Sequence, residues 1–106
     1  MRGRPKIVLA RSYEEATELY NKYQNNVLGI ISDARFPHDG VNDPQAGVTL
    51  LREVRKRDPF IPLILQSAEE SNRCYAPELD AVFIDKNSKK MNIDLREAVV
   101  RQLRFR

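Results

Sequence analysis

The sequence predicts an α/β fold of three layers, in which four parallel β-strands alternate with helices. Short apolar runs alternate along the chain with segments whose apolar residues recur every three or four positions. The run from Val27 to Ile31 is apolar or glycine throughout, which is typical of a strand covered on both faces. Strict alternation of strand and helix favours a parallel sheet with helices on its faces, joined by right-handed crossovers.

The composition is that of one globular domain. The chain has 106 residues, of which 42% are hydrophobic and 31% charged, and its formal net charge is +3. No apolar run is long enough to cross a bilayer, no secretory pattern opens the sequence, and the lone Cys74 has no partner for a disulfide or for zinc. We therefore expect a cytoplasmic protein with no membrane partner. Basic residues gather at both ends but outside any nucleic-acid motif, so no nucleic-acid ligand is expected.

The first strand and helix are predicted over Lys6–Ala10 and from Tyr13 to about Tyr23. The pattern Ser12-x-x-Glu15 is a capping box, in which the serine caps the helix and the glutamate reaches back to the cap. The apolar positions of this helix then recur at helical spacing. Asn25-Asn26 is expected to end it.

The second unit leads to a carboxylate. The strand from Val27 to Ser32 ends at Asp33, and a long loop is predicted from Ala34 to Asp43, where turn-forming and polar residues predominate. Asp43-Pro44 is expected to open the next helix, with the aspartate as its cap and the proline as its first residue. That helix is predicted to run to about Lys56.

The remaining elements follow the same alternation. A third strand is predicted from Ile61 to Gln66, followed by a short helix that Ser67 caps and Pro77 breaks. A fourth strand from Ala81 to Ile84 ends at Asp85-Lys86. A closing amphipathic helix is predicted from its apolar positions, Met91, Leu95, Ala98, Val99 and Leu103.

Three polar residues, Asp33, Ser67 and Lys86, stand at the ends of successive strands and are expected to converge at one edge of the sheet. A carboxylate there can accept a phosphoryl group, while a hydroxyl and an ammonium hold the phosphoryl oxygens. Each residue also has a structural explanation: a turn for Asp33, a helix cap for Ser67, and a surface charge or an ion pair with Asp85 for Lys86.

These residues resemble the receiver domain of two-component response regulators, which has a flavodoxin-like fold. Asp33 followed four residues later by Pro37 looks like the phospho-acceptor motif, and the stretch from Gly47 to Leu51 resembles the glycine-led third helix. Ile64 to Ala68 resembles the strand that ends in the switch hydroxyl, and Phe83 to Lys86 the strand that ends in lysine. The match runs from about Lys6 to Leu103.

By that resemblance Asp33 is the phospho-acceptor and the Mg²⁺ ligand, Ser67 the switch hydroxyl, and Lys86 the contact to the phosphoryl group. Receivers hold Mg²⁺ with an acidic pair after their first strand, but here Ala10 and Arg11 follow Lys6 to Leu9, so Mg²⁺ binding is expected to be weak.

The spacing indicates that Lys6–Ala10 corresponds to the second receiver strand. We therefore expect residues 1–106 to form a single, incomplete receiver-like domain that lacks the first strand and helix. Two further departures are Asn87 in place of the usual proline and the insertion from His38 to Asp43. Loss of the central strand would leave either a closed-up four-strand sheet or edges that another chain fills.

Within the receiver family, the amino-acid sequences of three stretches most resemble the receiver-like segment that precedes phosphoenolpyruvate synthase or pyruvate phosphate dikinase modules. They are Ser32 to Pro37, Asp43 to Gly47, and Leu65 to Ser67. The resemblance implies a protein partner, either a histidine kinase or an associated phosphoenolpyruvate-utilising module, with a homodimer as a further alternative.

Three functions are compatible with the sequence. The first is a degenerate, non-enzymatic regulatory module that works through protein–protein interaction, because the acidic pair is missing. The second is a receiver that accepts a phosphoryl group on Asp33 and obtains its acids from Asp39 or Asp43, or from a partner chain. The third is a fragment of a small α/β enzyme that uses Asp33 and Lys86 as an acid/base pair. His38, the sole histidine, lies in a polar turn and is expected at the surface, with a phosphohistidine or ligand role as the alternative.

Overall fold

The computed structural model describes residues 6–23, 26–90, 93, 94, 96, 97, 100 and 101. The helices are α1 (Tyr13–Lys22), α2 (Ala46–Arg57), a 3-10 helix (Glu70–Cys74) and α3 (Tyr75–Leu79). The strands are β1 (Lys6–Ala10), β2 (Val27–Asp33), β3 (Phe36–His38), β4 (Val41–Asp43), β5 (Leu63–Ser67) and β6 (Val82–Asp85).

Four of the strands form a parallel sheet in the order β1-β2-β5-β6, so the predicted α/β class and the four parallel strands are confirmed. The strand order in space follows the order along the chain. β1 pairs directly with β2, with Val8 opposite Ile30, and no gap remains for a central strand. The four strands therefore form one continuous sheet.

Helices α1, α2 and α3 share one face of the sheet. Consecutive strands that advance in one direction with crossovers of one hand carry their helices to the same side. Ala16 of α1, Leu51 of α2 and Leu79 of α3 accordingly belong to one buried cluster together with strand residues such as Leu63 and Leu65. A second, smaller cluster of buried residues comes from three neighbouring strands and consists of Ile31, Ile64 and Ile84.

The prediction of a loop from Ala34 to Asp43 is wrong in part. This segment contains an antiparallel hairpin of β3 and β4. Asp39 and Gly40 form its turn with φ angles of 55° and 79°. Two successive residues with positive φ match the twist of a two-residue hairpin, and Asp-Gly is a favoured pair for that turn. The hairpin is thus a folded projection that begins three residues after Asp33 and includes the insertion.

The predicted start of α2 is also wrong. The helix begins at Ala46 with Gln45 as its cap residue, and not at Asp43-Pro44. Asp43 instead belongs to β4, and its Oδ1 accepts a hydrogen bond from the Gln45 backbone N–H at 2.9 Å. The aspartate therefore shapes the turn before the helix, two residues earlier than a cap.

The closing helix is described only in part. Residues 93, 94, 96, 97, 100 and 101 are helical. The apolar positions on which the prediction rested lie outside the described residues; they are Met91, Leu95, Ala98, Val99 and Leu103. Within the part of the chain that is described, no helix is both long and apolar enough to cross a bilayer.

Candidate functional site at the sheet edge

Asp33 is held at the carboxyl end of β2 by the start of α2. The Gly47 backbone N–H donates to the Ala34 carbonyl at 2.9 Å, which brings the helix against the strand end. A β-carbon on Gly47 would overlap the Asp33 carbonyl oxygen and lie 2.8 Å from Ser32 Oγ. The Ser32 hydroxyl donates to the same Asp33 carbonyl at 2.8 Å. Glycine is required here because only a residue without a side chain allows this approach.

The carboxylate of Asp33 forms an ion pair with Lys86. Lys86 Nζ lies 3.2 Å from Asp33 Oδ1, and both side chains are about one-third exposed, at 39% and 34% respectively. The Lys86 backbone N–H also donates to the Ser67 carbonyl at 2.9 Å, which extends the ladder between β5 and β6 by one bond. The structure therefore brings two of the three predicted site residues together, from strands that are not neighbours.

Ser67 is placed differently from the other two. Its Oγ accepts hydrogen bonds from the Glu69 backbone N–H and from Asn72 Nδ2, both at 2.9 Å. The cap residue of the 3-10 helix is Glu69 and not Ser67. The predicted capping role of Ser67 is therefore wrong, because the helix begins two residues later than predicted. Asn72 is buried, and its amide fixes the serine oxygen toward the helix that follows β5.

The strand register explains this separation. Asp33 is level with Gln66, and Gln66 is level with Ile84, so these side chains share one face of the sheet. Ser67 is the next residue along β5, and successive side chains of a strand point to opposite faces. The hydroxyl consequently lies on the face opposite to the Asp33 carboxylate.

Gln66 is a neighbour of Asp33 that sequence reasoning overlooked. Its Oε1 is buried and, within the described part of the chain, accepts no hydrogen bond from the protein. A glutamine that ends an otherwise apolar strand was the available sequence signal. Its amide gives the region around the ion pair a polar group on the adjacent strand.

Lys86 does not form the ion pair with its neighbour Asp85 that the structural explanation of this lysine proposed. Asp85 Oδ1 accepts the Asn87 backbone N–H at 2.8 Å. Asn87 Nδ2 donates to the Ala68 carbonyl at 2.7 Å and ties the loop after β6 to the loop after β5. Asn87, where the receiver pattern has proline, thereby helps to position the backbone beside Lys86.

The acidic residues that a magnesium site around Asp33 would need are missing at the end of β1. Mg²⁺ requires several hard oxygen ligands in near-octahedral geometry. β1 ends at Ala10 and is followed by Arg11, and no group of three potential ligands in the described residues includes Asp33. The two carboxylates of the insertion, Asp39 and Asp43, lie next to His38.

No protein-family model matches this chain, and the comparison with curated proteins gives no match. The resemblance to receiver domains therefore remains a prediction from the residues quoted above.

Proposed function

We propose that this chain is a receiver-like regulatory module that acts through protein–protein interaction and does not turn over a substrate. The observation that carries the proposal is the Asp33–Lys86 ion pair at the carboxyl edge of a parallel sheet, where no group of three possible metal ligands in the described chain includes Asp33. A receiver site needs that carboxylate free to attack and a cation to neutralise the transferred group. Here the acidic pair that would hold the cation is replaced by Ala10 and Arg11.

The separation of Ser67 from the ion pair supports the same proposal. A switch hydroxyl has to reach the group on the aspartate, whereas Ser67 Oγ already accepts two hydrogen bonds from the segment that follows β5. Releasing it would leave the buried Asn72 amide without its acceptor, at a cost of about 1–3 kcal/mol. A regulatory role that does not depend on phosphorylation avoids that cost.

The outer edge of β1 is the surface that we assign to the partner. Among the described strands β1 pairs only with β2, so its other edge offers backbone N–H and C=O groups for an added strand. Ile7 and Leu9 are 39% and 50% exposed beside that edge. They border an open groove that Leu19 and Tyr23 of the α1 region also line. A partner segment that fits is extended, with apolar side chains at alternate positions.

Phosphoryl chemistry at Asp33 is tested by titration with magnesium and beryllofluoride, which imitates an aspartyl-bound phosphoryl group. Amide NMR shifts of Asp33, Ser67 and Lys86 are followed in the full chain and in Asp33→Asn. We expect no saturable shift at these residues. Saturable shifts at all three that Asp33→Asn abolishes would overturn the proposal in favour of a phosphorylation-competent receiver.

The partner surface is tested by placing a photo-crosslinking amino acid at position 9, in the producing cell. Position 41 is the matched control, because Val41 is also an exposed apolar strand residue, at 68%, but lies on the hairpin. We expect one discrete protein to crosslink from position 9 and none from position 41. A crosslink to a second copy of this chain would identify a homodimer, and equal labelling from both positions would contradict the assignment of the surface.

A further inference from the structure

A histidine and two carboxylates converge where the β3–β4 hairpin lies against the first turn of α1. His38 ends β3, Asp39 begins the turn, and Glu14 belongs to α1. His38 Nε2 lies 3.9 Å from Glu14 Oε2 and 4.0 Å from Asp39 Oδ2. One ligand atom from each of the three residues can be chosen so that all lie within 4.8 Å of one another.

The hairpin is attached to the helix at this point by a backbone contact. The Asp39 backbone N–H donates to Glu14 Oε2 at 3.1 Å. Because that bond joins residues from two different elements, it holds the Glu14 carboxylate beside the Asp39 backbone and leaves the Asp39 carboxylate unused. The donors therefore come from separate parts of the chain but are held in one place.

The imidazole of His38 is oriented from two sides. Its ring stacks on Tyr13 with a centroid distance of 4.1 Å and an interplanar angle of 18°. Asp43 Oδ2 lies 3.5 Å from Nδ1, the ring nitrogen opposite to the one that faces Glu14 and Asp39. A carboxylate beside one ring nitrogen is the usual second-shell arrangement of a metal-binding histidine, since it leaves the other nitrogen free to coordinate.

The charges around His38 are unbalanced. Glu14, Asp39 and Asp43 all lie near the ring, and none of the lysine and arginine side chains in the described chain forms an ion pair with them. The three donors also line an open groove between α1 and the hairpin, so a hydrated ion can reach them. A divalent cation would neutralise this local negative charge.

We propose that Glu14, His38 and Asp39 bind a divalent transition-metal ion such as Zn²⁺, with Asp43 orienting the histidine. One imidazole nitrogen and two carboxylate oxygens form a donor set that Zn²⁺ accepts, and water completes the coordination. Donors bound at tetrahedral zinc lie about 3.3–3.6 Å apart, closer than the 3.9 and 4.0 Å from His38 Nε2 to the two carboxylates here. Both carboxylate side chains are at least half exposed, at 52% and 86%, and can rotate to close that difference.

Such an ion ties the hairpin to α1. The site shares no residue with the Asp33–Lys86 pair, so it is independent of the function proposed above. The insertion that separates this chain from the receiver pattern then has a purpose of its own, because two of the three ligands and the orienting aspartate all belong to it.

The test is calorimetric titration of the EDTA-treated full chain with Zn²⁺. Cys74 is exposed and free, so all proteins carry Cys74→Ser to remove a competing thiol ligand. We expect saturable binding of one ion, with affinity reduced at least tenfold in His38→Ala, Glu14→Gln and Asp39→Asn. Asp43→Asn should weaken binding by about 10–100-fold as a second-shell change.

Glu15→Gln is the matched control, because Glu15 is an exposed carboxylate of the same helix turn outside the cluster. Its affinity should equal that of the parent. ¹⁵N NMR of the imidazole supplies a second measurement, in which the Nε2 signal of His38 shifts on addition of zinc. Absence of saturable binding, or binding that survives both His38→Ala and Glu14→Gln, would overturn the proposal.

Discussion

Gly47 lies so close to the backbone of Asp33 that any β-carbon at position 47 would overlap the Asp33 carbonyl oxygen. This contact between the start of α2 and the end of β2 determines where the carboxylate of Asp33 stands. It also makes Gly47→Ala an unusual helix substitution. Alanine normally stabilises a helix relative to glycine by about 1 kcal/mol, but here the steric overlap opposes that gain.

We expect Gly47→Ala to destabilise the fold by about 1–3 kcal/mol or more, because backbone atoms and not flexible side-chain ends have to move. Urea unfolding followed by circular dichroism measures the change. Gly29→Ala is the comparison, since a β-carbon there would lie 3.1 Å from the Pro62 carbonyl oxygen and requires a smaller displacement. A Gly47→Ala protein as stable as the parent would contradict the described packing.

The Asp33–Lys86 ion pair should contribute little to stability. Both side chains are about one-third exposed, and ion pairs in that setting typically contribute about 0–1 kcal/mol. A double-mutant cycle of Asp33→Asn and Lys86→Met should give a coupling energy below about 1 kcal/mol that decreases with added salt. A coupling of several kcal/mol, insensitive to salt, would mean that the pair is more enclosed than described.

Ser67→Ala should lower the free energy of unfolding by more than the loss of the Asp33–Lys86 ion pair does. The substitution removes the acceptor of the buried Asn72 amide and of the Glu69 backbone N–H, and a buried unsatisfied donor costs about 1–3 kcal/mol. Ser67→Thr keeps the oxygen and serves as the control. Equal stability of the alanine and threonine variants in denaturant titrations would show that these hydrogen bonds are not formed in solution.

Tyr20 should make the fold sensitive to alkaline pH. Burial raises the pKa of Tyr20, the charge of Asp58 raises it further, and Arg57 acts in the opposite direction. A group whose pKa is higher in the folded state contributes stability that is complete below its unfolded pKa, about 10, and is lost as the pH rises through the folded value.

Tyr20→Phe removes this contribution while retaining the ring. The free energy of unfolding should therefore fall less between about pH 8 and pH 11 in Tyr20→Phe than in the parent, as measured by urea titration at each pH. Because the lysines titrate in both proteins, only the difference between the two losses is informative. Identical losses would show that the ionisation of Tyr20 is not linked to folding.

The sheet could be predicted from sequence because its strands are apolar runs separated by helical periodicity. The predicted strand bounds differ from the observed ones by at most two residues: the third strand starts at Leu63 and not Ile61, and the fourth at Val82 and not Ala81. The meeting of Asp33 with Lys86 followed from the same reasoning, since parallel strands end at one edge.

What could not be predicted depends on single-residue register and on short-range pairing. Ser67 and Gln66 differ by one position, and only the pairing of Gln66 with Asp33 decides which side chain shares the face of the carboxylate. The strands β3 and β4 have three residues each, too few for periodicity, and Pro37 further weakens the strand signal. The register is settled by tertiary pairing that the local sequence does not encode, whereas the hairpin has one local signal, the Asp39-Gly40 pair at its turn.

The agreement between strand order and chain order has a kinetic consequence. Each strand of the parallel sheet pairs with the sheet strand before it in the chain, so no loop closure has to span the whole chain before a contact forms. In a sheet whose first strand is central, later strands add first on one side of it and then on the other. Segments that are distant in sequence must then come together before the sheet can form. This chain should therefore assemble one strand–helix unit at a time, with nearest-neighbour growth similar to that of a repeat protein and a low contact order for a parallel sheet.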